Sequence, residues 1–531
     1  MPKEKKQSFL GGVAALTIAV ALVKIIGALY RIPLGNILGT EGTTHFNSAY
    51  KIYSLLISLS TAGLPTALSK LVAESRALGK YNQSRKLLRI SLVLFAILGI
   101  LGTSLMLFAT EWLTGLMHNS LAYWPMKALS FSVVCVCIMA AFRGYTQGCQ
   151  NMTPSAISQV IEATFKLLVG LTLAWYLVSA LGRGVEIGAA GAIIGVTASS
   201  VLAMAYMIFH HFRHRRETPV SQDVPQSTGA LLGRIFTIGI PITLGASSMS
   251  LIMLIDQSLI MDRLQTVLGL TEQAAADLNG QYEFALPLFN LPSAFIPPVT
   301  MCLIPFIAAA TARRDHTKVT KLVSTSLRLT VLVGFPAGVG LSVLAGPILR
   351  LLYPARLASA EAAAYHLQIM GFTSIFVCLM LLTNAILQAH DKAHIPVFTM
   401  ILGGSIKIAT NYILVGDPAI NIKGAPIGSL CCYGAIALVN LVLMDRVLVK
   451  RPSYIQLFLK PAIATAGMAV VAKGSFSLLA GRFGSNLACL LAIGLAALVY
   501  VFLVLALRIV TKEDLEMVPH GERLAKLLKI R

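Results

Sequence analysis

The chain has 531 residues, of which 56% are apolar and only 12% charged, with a net charge of +21. A soluble domain would carry about twice that charged fraction, so a water-soluble globule is excluded. The positive excess follows from the bias of Lys and Arg toward cytoplasmic loops, and no basic stretch with interleaved aromatics suggests nucleic acid.

Apolar runs of about 20 residues or more alternate with short polar gaps, as helices crossing about 30 Å of hydrocarbon require. Inside lipid each segment must satisfy its own backbone, so these runs predict helices. A transmembrane barrel would show alternating segments of about 10 residues, which are absent. The predicted spans are 9–34, 46–69, 90–110, 122–142, 155–179, 187–210, 235–260, 284–310, 326–348, 366–388, 395–415, 424–445, 457–473 and 486–507. The expected fold is therefore an all-α polytopic membrane protein of about fourteen spans.

The N-terminal Lys3, Lys5 and Lys6 precede an apolar stretch with a signal-peptidase-like Ala19-Val20-Ala21, but that stretch continues to Leu34 and predicts a retained helix. With the N-terminus inside, cytoplasmic segments carry about four times as many Lys and Arg as outer ones. Both termini are then cytoplasmic. The longest polar connection, with Arg213, Pro219 and Pro225, reads as a flexible link.

The chain also repeats. Gln147, Pro154 and Lys166 recur as Gln388, Pro396 and Lys407 at offsets of 241, 242 and 241. Leu64-Pro65 recurs as Ile304-Pro305, followed by Ala308 to Arg314. Two six-helix lobes, 1–212 and 235–447, joined by 213–234 and followed by two more helices in 448–531, account for the pattern. Parallel repeats of this kind are one transporter architecture.

A charge within a span costs about 2.5–3.5 kcal/mol on insertion scales and usually faces a cavity or a partner. The intramembrane cations are Lys24, Arg31, Lys51, Lys127, Lys166 and Lys407; the acids are Glu162, Asp256 and Glu283. Lys24 and Arg31 lie two turns apart on one face, and Lys51 is on the next helix, with no acid in either span. They predict an anion site; the alternative is snorkelling to a headgroup layer. Glu162 and Lys166 are four apart and form either an ion pair or a cavity or gating group. Lys407, with Gly403 four residues before it, is a stronger cavity charge. Asp256 is either a coupling-ion ligand or an acid at a helix end near water.

Nothing points to catalysis, a cofactor or a metal. The eight cysteines lack a C-x-x-C pair and read as apolar packers. The ten histidines, His45 among them, are scattered, and there is no H-E-x-x-H, nucleophile elbow or P-loop. Prolines within spans, including Gly63-Leu-Pro65, Pro241 and Pro336, are hinge candidates.

Lys24-Ile-Ile-Gly27 to Arg31, Gly63-Leu-Pro65 to Lys70-Leu-Val-Ala-Glu74, Phe142-Arg-Gly-Tyr-Thr-Gln-Gly148, and Gln150-Asn-Met-Thr-Pro154 with Ile157-Ser-Gln-Val-Ile-Glu162 together resemble a known family. It is the polysaccharide-exporter branch of the multidrug/oligosaccharidyl-lipid/polysaccharide superfamily, with its stage V sporulation protein B and MurJ-type lipid II flippases. The resemblance implies alternating access in the bacterial cytoplasmic membrane. It implies an undecaprenyl-diphosphate-linked saccharide as substrate, lipid II foremost, driven by membrane potential or by a sodium or proton gradient. It also implies a cationic cavity at Lys24, Arg31 and Lys51, with Lys24 in place of a more usual Arg, and a lipid-tail groove on the last two helices. The other readings are export of another lipid-linked glycan and cation-coupled drug extrusion.

Overall fold

The computed structural model describes residues 9–61, 63–214, 221–297, 299–300, 303, 307, 315–390, 392, 394–449 and 451–509. Lys3, Lys5, Lys6, Pro219, Ala308 to Arg314 and the basic tail from Arg523 to Arg531 lie outside these. Among the described residues the chain is helical throughout, and contacts divide it into two compact units, Met1–Gly280 and Gln281–Arg531.

The first unit begins with α1 (Phe9–Thr61). Unbroken, 53 residues would run about 80 Å, far beyond a bilayer's hydrocarbon. The helix instead breaks at Gly39, where φ is 69° and ψ is −171°, a conformation that disfavours a side chain. Two spans thus meet at one glycine. The second ends just before Gly63, so the expected span 46–69 is interrupted. Helix α2 (Leu64–Ala77) restarts with Pro65 in its first turn, where a proline costs no hydrogen bond. A Cβ on Gly63 would stand 2.1 Å from the Gly239 carbonyl oxygen, so this bend closes directly on α8 (Thr228–Asp262).

Between them run α3 (Tyr81–Phe108), the short α4 (Thr110–Leu116), α5 (Tyr123–Gly148), α6 (Thr153–Trp175) and α7 (Val185–His214). The connection expected to be flexible is tied down over 221–227. Asp223 accepts from the amides of Asn82 and Gln83 at 2.9 Å each, capping α3 from a distant segment. Burial pushes its carboxyl up, but bonds from Ser221 and the Asn82, Gln83 and Asp223 amides outweigh it and hold it below the usual carboxylate range. Arg234 joins Glu74 at 2.8 Å beside this cap. Helix α9 (Glu272–Ser293) crosses the division between the units, which places α8 with the first.

The second unit continues with α10 (His316–Val343), the short α11 (Ala345–Leu352), α12 (Leu357–Ala389), α13 (His394–Leu414), α14 (Gly424–Val447), α15 (Tyr454–Phe483) and α16 (Ser485–Ala506). In the first unit α3 packs on α5, α5 on α7 and α6 on α7; in the second, α10 packs on α12, α12 on α14 and α13 on α14. The 241-residue offset carries Thr153, where α6 starts, onto His394, where α13 starts. The sequence repeat is therefore a repeat of helix pairing. Helices α15 and α16 lie outside it and pack on each other, α15 also on α10 and α16 on α11.

Eleven helices among the described residues are long and apolar enough to cross a membrane. The difference from fourteen has three sources. The first two spans run together across Gly39, the seventh shows only the shorter apolar stretch Thr228–Leu244, and the eighth runs into residues outside those described.

Candidate functional site

The described side chains with the most charge to account for inside spans lie in the first unit. Arg31, on the first half of α1, donates from Nη1 to Asn47 Oδ1 at 2.7 Å, across the Gly39 break. Its guanidinium lies 5.7 Å from the centre of the Phe46 ring. Phe46, Tyr50 and Tyr53 follow at spacings of four and three, so they share one face of the second half of α1. Phe46 stacks on Tyr50 with ring centres 5.7 Å apart, and Tyr50 meets Tyr53 at 5.4 Å. Tyr30 joins from the first half, 6.1 Å from Phe46, its hydroxyl donating to the Ala192 carbonyl on α7.

Lys166, from α6, enters the same aromatic cluster. Its ammonium lies 4.7 Å from the Tyr50 ring centre and 5.1 Å from that of Tyr30, and donates to the Tyr50 hydroxyl at 3.4 Å. Ring faces offer a cation partial compensation for lost water. Lys51 takes a separate direction, one residue along the helix, and donates to Gln257 Oε1 on α8.

The expected i,i+4 pair between Glu162 and Lys166 does not form. Glu162 accepts instead from Arg143 Nη2 at 3.1 Å, and Arg143 Nε donates to Ser158 at 2.8 Å. The planar fork on α5 reaches two residues one turn apart on α6, a geometry a lysine cannot match. Arg143 lies one residue beyond the predicted span 122–142, whereas α5 runs to Gly148. Beside it, a Cβ on Gly144 would stand 2.7 Å from the Pro65 carbonyl oxygen. The Phe142-to-Gly148 stretch is thus an interhelical clamp.

Arg31 and Lys166 are therefore satisfied by an amide, a phenol and ring faces, and neither is paired with a carboxylate among the described residues. The Lys24 side chain lies outside them. Asp256 is buried on α8 next to Gln257, on a different face of the helix. Lys407 is half-buried on α13 in the second unit. By the repeat offset, Asn384 and Gly403 stand there for Arg143 and Glu162. Asn384 accepts from Asn440 on α14 at 2.7 Å, a neutral contact that runs to a different helix pair from the Arg143–Glu162 ion pair. The sequence reading missed Arg143, Asn47, Gln257 and the aromatic cluster. The adjacent pairs Tyr30-Arg31 and Tyr50-Lys51 are the signal it could have used.

The sequence profile of the polysaccharide biosynthesis protein family matches residues 9–311, and that of the MatE family matches residues 280–413. Stage V sporulation protein B of Bacillus subtilis (strain 168) is 26% identical over 525 residues, 97% of this chain and 98% of its own. Lipid II flippase MurJ of the same organism is 24% identical over 458 residues, 82% of each. Among solved structures, lipid II flippase MurJ in an inward closed conformation aligns over 92% of this chain and 97% of its own, with a TM-score of 0.67 at 15% identity. An inward-facing multidrug resistance MATE family transporter aligns over 81% and 98%, with a TM-score of 0.64 at 17% identity. These TM-scores establish a shared fold, and the MurJ and MATE relatives are a flippase and a transporter rather than enzymes. Because the family profile spans residues 9–311, more than half the sequence, the chain belongs to the polysaccharide biosynthesis protein family.

Proposed function

We propose that this chain is a flippase that carries an undecaprenyl-diphosphate-linked saccharide, lipid II foremost, from the inner to the outer leaflet of the bacterial cytoplasmic membrane. Both termini are cytoplasmic in this reading. The observation that carries it is that, among the described residues, Arg31 and Lys166 are paired with neutral groups, Arg31 across the break at Gly39 and Lys166 on Tyr50 and Tyr30. Two cations held this way keep their net charge for an anion that arrives from outside. A diphosphate brings about two negative charges, and moving these outward across a potential of 100 mV, inside negative, is favourable by about 4–5 kcal/mol.

Arg31, Lys51 and Lys24 receive the headgroup in this account, with Lys166 held in reserve on the rings. Lys407 acts as a gating charge, the Arg143–Glu162 pair holds α5 against α6, and Asp256 is a ligand for a coupling cation, sodium or a proton. The moving parts are the two lobes, 1–212 and 235–447, joined by 213–234. The polyprenyl tail stays in lipid along α15 and α16, whose faces expose Val470, Leu478, Leu498 and Phe502. A multidrug extruder of the same fold would need an anionic cavity, and the cationic cluster disfavours it.

Complementation tests the substrate. A bacterium depleted of its own lipid II flippase is expected to regain growth when it expresses this chain. Good membrane expression without rescue would rule out lipid II and leave another lipid-linked glycan.

A further inference from the structure

His45 lies on the second half of α1, two residues before the amide that holds Arg31. It is wholly buried, as are Ser48 and Asn119 around it. Asn119 Nδ2 donates to Ser48 Oγ at 2.9 Å, which turns Asn119 Oδ1 toward His45 Nδ1 at 2.8 Å. An oxygen acceptor there requires the imidazole to carry its hydrogen on Nδ1. The other nitrogen, Nε2, then offers a lone pair, and it has no hydrogen-bond partner. The nearest charge to it is the Glu41 carboxylate, one turn back, at 3.6 Å.

A lone pair facing a carboxylate leaves two acceptors with no hydrogen between them. A buried orphan nitrogen costs about 1–3 kcal/mol. One added proton removes both defects at once: it binds Nε2, and the imidazolium donates to Glu41. The Glu41 side chain is about one-third exposed, so the proton has a route to it that the buried ring lacks.

We propose that His45 and Glu41 form a binding site for one exchangeable proton, linked to anion binding at Arg31. Without the proton the pair carries one negative charge; with it the pair is neutral. Loading it makes the field near Arg31 more positive, so an anion there and a proton at His45 favour each other. Linkage is reciprocal: anion binding takes up a proton, and lower pH tightens anion binding. This coupling rests on the anion reading above, whereas the proton site itself stands on the geometry of His45, Asn119 and Glu41.

The surrounding elements bring other titratable groups. Asp277 accepts from Thr40, Glu272 is held by Ser120 and the Leu121 amide, and His118 lies 3.4 Å from Asp262. The other helices packed against α1 carry Glu111 on α4, Lys127 and Arg143 on α5, Glu162 and Lys166 on α6, Glu186 on α7 and Asp256 on α8. His118 is the second histidine here, so it must be separated from His45 in any titration.

Two measurements on the purified full chain in lipid nanodiscs test the proposal. Histidine ring resonances are followed between about pH 5 and pH 8, the range in which imidazole charge ordinarily changes. The resonance missing from His45→Asn, and present in His118→Asn, should move with pH and move differently in Glu41→Gln. Calorimetry with a short-chain prenyl diphosphate, in buffers of different ionisation heat, counts the protons exchanged on binding. Wild type should take up a measurable fraction of a proton and both variants none; at high pH His45→Asn, in which Glu41 keeps its charge, should bind within about threefold of wild type, whereas Glu41→Gln, which lacks that charge, should bind more tightly. If His45→Asn fails to fold, Glu41→Gln, which leaves the buried ring in place, carries the second measurement. A His45 resonance that stays fixed, or uptake unchanged in both variants, overturns the proposal. A wild type that binds no diphosphate refutes the anion site, and the resonance measurement still decides the proton site.

Discussion

Replacing Arg31 by alanine is expected to weaken binding of a prenyl diphosphate by roughly 10- to 150-fold, with little change in thermal stability. The first figure follows from losing one hydrogen-bonded charge at the headgroup, about 1.5–3 kcal/mol. The second follows from the partner. Arg31 is held by the neutral amide of Asn47, so its removal strands no opposite charge. Arg31→Lys keeps the charge and loses the planar fork, so its affinity should fall between wild type and alanine. Titration calorimetry and a melting curve on each variant read the two effects separately. Unchanged affinity in Arg31→Ala would remove this residue from the site.

Arg143 should behave in the opposite way. Arg143→Met leaves Glu162 half-buried on α6 without its cation, and it also strips Ser158 of its donor. Breaking one side of such a pair costs more than removing both sides, because the remaining charge stays desolvated. With both side chains partly exposed, the expected loss is about 1–3 kcal/mol of stability. The double variant, Arg143→Met with Glu162→Gln, should recover most of it. Unfolding measured in one detergent across the three proteins gives the coupling directly. If Arg143→Met keeps wild-type stability yet no longer transports, the pair is a gate and not a clamp. That outcome would move Glu162 back among the cavity charges.

The contrast between these two arginines shows what was legible in the sequence. Against the fourteen spans predicted from hydropathy stand eleven long apolar helices among the described residues, and the offset of 241 between Lys166 and Lys407 matches the way α5, α6 and α7 pair as α12, α13 and α14 do. It did not anticipate that Arg143 lies within a helix. The polar run from Arg143 to Gly148 reads as the end of a span, yet packing of Gly144 against Pro65 carries the helix on. Arg31 and Lys51 were legible as costly charges, but their partners were not. Asn47 and Gln257 are unremarkable polar residues until Gly39 turns the chain and α8 closes on Gly63. The ring cluster was hidden for a related reason. Phe46 and Tyr50 share a face within one helix, whereas Tyr30 and Lys166 reach them only through the fold. His45 looked like one scattered histidine among ten, because neither its burial nor its orphan nitrogen can be read from spacing.

The central claim is that the cationic cluster moves a lipid diphosphate across the bilayer. Purified protein in liposomes, with fluorescent undecaprenyl-diphosphate glycan on the inner leaflet and an inside-negative potential, tests it most directly. The account predicts outward transfer that is lost in the combined Arg31→Ala and Lys51→Ala variant and that slows when the potential is collapsed. It predicts no transfer of a neutral glycolipid with the same prenyl chain. Equal transfer of the neutral and the anionic lipid, or full activity without Arg31 and Lys51, would contradict it.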